Sequence, residues 1–350
     1  MNIFCDFHHA GLLHSLILLF EKRLGHKVYR PIGMDWVEQG FWAVYDHPAT
    51  ALQFLTIDQA YKPIDGTPPL NTFYDNKIFY AKEGVYFCKD ISNQKYNKAI
   101  TLERFKEMDI DIVIASIPQH IPLFKELIHK YKPNAKLIYQ IGNNWNVGQN
   151  EVKNVMASAL VQIPAEINSV VYHQEFDTNI FTFEPNVLNN KISSFINCFE
   201  SADIFKSDWE LFQKIEKLMP QWEFNVYGAG GRNGVKHGEM GVSEGIGEST
   251  LIWHTKRGGD GYGHIIHNVF AMGRPPIINM SYYKNKMAGK LMIDGETCIA
   301  IDGLNPQEIV NKIQSADCSK MSLNAHNKFV QEVNFDEDEK KIQQFLKLLQ

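Results

Sequence analysis

The chain has 350 residues, 44% of them hydrophobic and 21% charged, which is enough for two domains with cores of their own. Its net charge of −5 excludes binding to nucleic acid through an overall basic field, though not through a local basic groove. The five cysteines (Cys5, Cys88, Cys198, Cys298 and Cys318) are scattered and form no CxxC, which argues against a disulfide framework or a zinc site and fits a reducing cytoplasm.

The first predicted element is a buried strand over 2–7. A turn at His8-His9-Ala10-Gly11 leads to a helix over 12–24, which Gly25 ends, and a second strand starts at 27–30. This β-α-β opening is the unit of a parallel sheet covered by helices. The apolar run 16–20 is far too short for a membrane span of ~20 residues. Asp6, His8 and His9 before it do not suit a signal peptide, so no membrane insertion is expected.

Residues 33–80 are rich in aromatics and carry Pro48, Pro63, Pro68 and Pro69; loop and short helices inserted in the sheet are expected. A helix over 101–108, a strand over 111–115, a helix over 122–131 and a strand over 136–140 follow. The pattern then reads as a helix over 152–158 and short strands over 159–162 and 169–172. Residues 181–190, with Pro185 and no periodicity, look like a linker.

A second alternating set begins with a strand over 191–196, a helix over 208–219 and a strand over 222–227 that ends in Gly228-Ala229-Gly230-Gly231. The third glycine of a dinucleotide fingerprint is missing there, because Asn233 holds its place. A strand over 251–254 enters Gly258-Gly259-Asp260-Gly261-Tyr262-Gly263. Behind this glycine loop, residues 264–272 have helical spacing until Gly273-Arg274-Pro275-Pro276 stops them. A strand over 298–301, a helix over 306–315 and an amphipathic helix over 335–349 complete the chain. The expected domains are 1–186, 187–332 and a C-terminal helix, 333–350, packing back on the first.

A glycine loop opening a helix offers unpaired backbone N–H groups and the positive end of the helix dipole, a place for phosphate or diphosphate. Lys256 and Arg257, just upstream, add charge for the same anion. The alternative is a tight loop that only packs a helix on a sheet, with the two cations a solvated pair.

Four landmarks, in order, carry a family resemblance: the loop 8–11; Glu175-Phe176-Asp177 with Phe181 and Pro185; Asp260-Gly261-Tyr262-Gly263 through Asn268 and Gly273-Arg274-Pro275; and residues 291–301. With these the chain resembles glycosyltransferases of the GT-B fold, most of all the retaining family-4 type. The resemblance implies an α/β chain of two Rossmann-like domains, their parallel sheets facing across a cleft. It also implies transfer of a sugar from a nucleoside-diphosphate sugar, a UDP-sugar before others, to a hydroxyl, with no metal required.

In that family two glutamates, separated by seven residues, approach the donor sugar and hold the ribose. Here those positions are Asp260 and Asn268, one shorter and one uncharged. Lys206 stands nearest the family's diphosphate-binding lysine, and the Gly230 loop lies near the donor in this fold. The expected donor site is therefore Lys206, Gly230, Lys256, Arg257, Gly261, Tyr262, Gly263, His264, Ile265 and Asn268, with Gly11 from the N-terminal loop and Asp260 toward the sugar. His8 or His9, at the end of the first strand, is placed to orient or deprotonate the acceptor. His120 and Asn144 end other strands.

The wording GGDGYGHIIHN also resembles a phage-associated group of glycosyltransferases, which implies a hydroxymethylated pyrimidine in DNA as acceptor, and the host's cytoplasm if the chain is phage-encoded. A small-molecule or glycan acceptor, a nucleotide-sugar epimerase and a non-catalytic binding protein are the alternatives. Asp109-Ile110-Asp111 matches a metal-holding D-x-D but precedes a buried strand, and it reads as a helix-to-strand turn.

Overall fold

The computed structural model describes residues 1–6, 10–31, 72–74, 77–82, 85–90, 96–100, 102–142, 151–185, 188–236 and 238–349. The chain forms two units, Met1–Phe176 with Phe335–Gln350, and Asp177–Asn334.

In the first unit, β1 (Asn2–Cys5) leads to α1 (Ala10–Ile17), which continues as a wider turn over Leu18–Arg23 before β2 (Lys27–Pro31). The helix forms because Leu12, Leu13, Leu16, Ile17, Leu19 and Phe20 share a buried face on the sheet. Three further strands, β3 (Thr72–Tyr74), β4 (Lys77–Lys82) and β5 (Val85–Asp90), precede β6 (Tyr96–Ile100). After α2 (Leu102–Glu107), the order is β7 (Ile112–Ala115), α3 (Ile121–Tyr131), β8 (Lys136–Ile141), β9 (Asn154–Ala157) and β10 (Asn168–Val171).

These strands make one sheet in the order β10-β9-β8-β7-β1-β2-β6-β5-β4-β3. It is parallel from β10 through β6, and β5, β4 and β3 extend it antiparallel. Loop and short helices are expected over 33–80, so the strands at 72–74 and 77–82 are a correction; 32–71 lies outside the described residues. The expected helix over 152–158 is likewise a strand. Asn154–Ala157 is buried throughout and pairs with strands on both sides, and a short apolar run does not reveal by periodicity which element it is. The expected strand over 159–162 is irregular chain. Asp109-Ile110-Asp111 is a turn: the Asn2 N–H donates to Asp111 Oδ2 and the Asn2 amide to the Asp109 carbonyl.

The second unit contains β11 (Lys191–Ser194), α4 (Lys206–Leu218), β12 (Glu223–Val226), α5 (Gly238–Gly247), β13 (Leu251–His254), α6 (His264–Ala271), β14 (Pro276–Ile278), β15 (Ile299–Ala300), α7 (Pro306–Ser315) and α8 (Cys318–Glu332). The sheet is parallel throughout, ordered β12-β11-β13-β14-β15. Trp253 and Phe212 meet edge to face at 5.4 Å in its core.

The first unit ends at Phe176 rather than at residue 186. Residues just beyond it belong to the second unit by their bonds. The Ile180 carbonyl accepts from Ser243 Oγ, the Glu184 carbonyl from Arg274, and Phe183 stacks on His326. The C-terminal helix α9 (Phe335–Lys347) packs on the first unit, with Ile342 and Phe345 in that core. Arg23 bridges Glu175 and Asp336 at 2.7 Å each, and Asp338 accepts from His173. Among the described residues no helix is long and apolar enough to cross a membrane.

In both sheets the chain starts a unit at an interior strand, lays the next strand on one side and later returns to the other. The order reverses between β1 and β7 in the first unit and between β11 and β13 in the second. Open α/β sheets bind ligands beyond the carboxyl ends of the strands at such switch points.

Candidate functional site

The switch point of the second unit puts the residues after Ser194 beside those after His254. The segment leaving β13 is therefore the glycine loop itself. Gly258, Gly259 and Gly263 have φ of +73°, +66° and +81°. Any side chain would cost about 1–2 kcal/mol at each. A Cβ on Gly259 would also meet the Tyr282 carbonyl at 3.1 Å. Gly263 is the residue before α6 and has no side chain to cap it, so the first N–H groups of the helix receive no side-chain cap from that position.

Asp260 is the hub of the loop. Its Oδ2 accepts from His254 Nε2 at 2.7 Å and its Oδ1 from Lys256 Nζ at 2.5 Å. The Asp260 N–H donates to Tyr283 Oη at 3.2 Å, and the Tyr283 hydroxyl lies 3.4 Å from Oδ2. Burial would raise the carboxyl pKa, but His254 and Lys256 outweigh it and hold the group well below the usual carboxylate range. Lys286 Nζ donates to the Gly258 carbonyl at 2.5 Å. Burial lowers the Lys286 pKa and nearby Lys256 lowers it further, with Asp260 opposing. Lys256 is paired with the Asp260 carboxylate while Lys286 is held by a neutral carbonyl, so the loop keeps an excess of positive charge.

Because the folded pKa of Asp260 lies below its unfolded value, its contribution to stability is present above about pH 4 and is lost as the pH falls further. Thermal unfolding of the wild type and of Asp260→Asn is expected to differ most at neutral pH. The gap should narrow below about pH 4. A gap that stays constant into acid would mean the carboxylate is not ion-paired.

Arg257 is exposed, and it faces Asp208 in the first turn of α4. Burial raises the Asp208 pKa, while the Arg257 guanidinium and backbone N–H oppose the rise. Lys206 is the exposed first residue of the same helix, two positions before Asp208, and Asp208 and Arg257 meet beside the loop. Tyr262 is buried, stacked on His267 with ring centroids 4.1 Å apart and edge-on to His264 at 5.1 Å; its ring supports the helix start. His264 and Ile265 are half-buried in the first turn. Asn268 is buried, and its Oδ1 has no hydrogen-bond partner among the described residues. An unsatisfied buried carbonyl is costly and is suited to accept from a ligand hydroxyl.

Gly230 sits in the loop after β12, next to the switch point, with φ of +73°. That loop is fastened to the chain leaving β11, where Cys198 N–H donates to the Ala229 carbonyl and Ala229 N–H to Asn197 Oδ1. Gly261 lies between Asp260 and Tyr262. Gly11 is the second residue of α1 in the first unit. His8, His9 and Asn144 lie outside the described residues.

Sequence reasoning missed His254, Tyr283 and Lys286 on the loop, and Asp208 as the partner of Arg257. It also missed Asp6. At the switch point of the first unit, buried Asp6 accepts from the Ser116 N–H and from His120 Nδ1, the latter at 2.7 Å. His120 is therefore fixed by a carboxylate, the pattern that orients a histidine tautomer.

No family model matches the chain, and no curated protein matches it. Solved structures do. HepE from Anabaena in complex with UDP and glucose aligns with a TM-score of 0.62 at 12% identity, over 99% of each chain. The pneumococcal O-GlcNAc transferase GtfA in complex with UDP and GlcNAc aligns at 0.57 and 10%, over 99% of each chain. A glycosyltransferase from Rickettsia africae aligns at 0.54 and 13%, again over 99% of each chain. At such identities the likeness is one of fold, and it spans both units: this chain has the GT-B fold.

Proposed function

We propose that the chain is a glycosyltransferase that takes a sugar from a UDP-sugar and passes it, with retention, to a hydroxyl acceptor. The observation that carries this reading is the glycine loop, with its left-handed glycines, its excess of lysine charge and an uncapped helix start, at the switch point of the second sheet. UDP and UDP-glucose in complexes of HepE, and UDP in that of GtfA, support the choice of donor.

In the proposed mechanism the diphosphate lies along the loop. As the bond from the sugar to the diphosphate breaks, negative charge grows on the leaving oxygen. Lys256, Arg257, Lys206 and the N–H groups of Gly263 and His264 neutralise it. Asn268 Oδ1 accepts from a ribose hydroxyl. On the first unit, His8 or His9 orients the acceptor hydroxyl. A hydroxymethylated pyrimidine in DNA is the first acceptor to test; its support is the wording of the glycine-loop segment, and a glycan or small molecule is the fallback.

Thermal unfolding with UDP, GDP, ADP and their sugars is the experiment. A ligand that binds only the native state raises the melting temperature, and UDP at about 100 times its Kd should add about 2.7 kcal/mol. No shift with any nucleotide would remove the proposal. Consumption of the donor without an acceptor, yielding an isomeric nucleotide sugar, would turn it toward an epimerase.

A further inference from the structure

Asp260 stands where the resembling family has a glutamate that approaches the donor sugar. Its geometry here suits another task. Both carboxylate oxygens are engaged, Oδ1 by Lys256 and Oδ2 by His254 and Tyr283. Its backbone N–H is tied to the same tyrosine. The side chain is one methylene shorter than glutamate and is 15% exposed. To reach a sugar it would have to leave an ammonium, an imidazole and a hydroxyl, and a buried carboxylate separated from its partners is strongly penalised.

Lys256 is the other half of the pair. A lysine is a point charge on a flexible stem, so where its ammonium sits depends on what holds it. Its side chain is 36% exposed, and among the described residues only Asp260 takes one of its three donors. The remaining donors are available to an anion in the loop. Lys286 keeps the surroundings positive, so the carboxylate directs the lysine without cancelling the field of the site.

We infer that Asp260 is a positioning residue: it makes no contact with the sugar and fixes the Lys256 ammonium over the site of the donor diphosphate. The inference rests on the proposed donor site, and one set of measurements separates the two. Calorimetric titration with UDP and with UDP-glucose is made on the wild type, Asp260→Asn, Lys256→Met and the double variant. The wild type is expected to bind both ligands. Asp260→Asn should weaken both by the same factor, roughly tenfold, as expected for a misplaced charge-assisted bond. In the Lys256→Met background the asparagine should cause no further loss, because the residue it acts through is already gone.

A sugar contact would behave otherwise: UDP affinity unchanged, UDP-glucose affinity reduced, and the same reduction in the Lys256→Met background. Any of these results overturns the inference while leaving the nucleotide site intact. Failure of the wild type to bind UDP overturns the site and this inference with it. Asp260→Glu carries the same test if the asparagine variant does not fold. A restored sugar contact would preserve or improve UDP-glucose binding, whereas the positioning role predicts an equal loss for both ligands, since the extra methylene displaces the carboxylate from Lys256.

Discussion

Replacing Lys256 with alanine is expected to slow sugar transfer from a UDP-sugar about 100-fold or more while leaving the circular-dichroism spectrum unchanged. The magnitude is that of removing one preorganised donor from the place where charge develops, about 2.7–4 kcal/mol of transition-state stabilisation. The structural cost is smaller. Asp260 keeps His254 and the Tyr283 hydroxyl, and the lost pair is partly exposed, so about 1 kcal/mol of stability is at stake. Arg257→Ala should fall well short of this loss, because that guanidinium is exposed and already faces Asp208. Single-turnover kinetics measure the transfer step without the complication of product release. Full turnover in Lys256→Ala would show that the diphosphate does not lie on this loop.

The parts of the fold that sequence pattern reveals are those with strong local grammar. Strands β1, β7 and β13 are short, mostly apolar runs bounded by polar or glycine turns. The helix after the glycine loop announces itself by its apolar spacing and by the glycine and prolines that end it. What escaped lacks such grammar. Helix α5 holds Gly238, Gly241, Gly245 and Gly247 among ten residues, a composition that disfavours a helix. Close packing explains one of them: a Cβ on Gly245 would stand 3.0 Å from the Phe195 ring. Strand β3 and the start of β4 lie in the stretch 33–80, whose prolines and aromatics read as loop. The boundary at Phe176 is set by Ser243 and Arg274, partners that lie 63 and 90 residues from the carbonyls they hold.

The site shows the same division. Glycine spacing locates the loop, and the nearby cations can be read directly from the chain. The role of Asp260 cannot, since it depends on His254 across the loop and on Tyr283, 23 residues downstream. Lys286 is 28 residues from the carbonyl it holds. A residue type at a family position therefore identifies a place, and only its partners identify its task. The same holds for Asp6 and His120, which meet at 2.7 Å across a separation of 114 residues because β1 and β7 are neighbours in the sheet.

Gly273→Ala is expected to destabilise the second unit by about 2–5 kcal/mol, from about 1–2 for an L-residue at positive φ and about 1–3 for overpacking. Gly273 has φ of +65° and ends α6 in a Schellman turn, with its N–H donating to the Phe270 carbonyl at 3.0 Å and the Arg274 N–H to that of Val269 at 2.8 Å. A Cβ there would lie 2.6 Å from the Phe183 ring and 2.8 Å from the Ser322 carbonyl. The ring can shift; the carbonyl belongs to helix α8 and cannot without moving it. Gly303→Ala is the matched control, because its φ of +70° is similar and nothing lies within 4 Å of its Cβ. The control should show the backbone strain alone, about 1–2 kcal/mol. For a unit of this size each kcal/mol lowers the melting temperature by roughly 2–4 °C, so the two variants are separable by thermal unfolding. Equal melting temperatures would mean that the helix end yields freely, and the tight seating of the glycine-loop helix against α8 would then have to be given up.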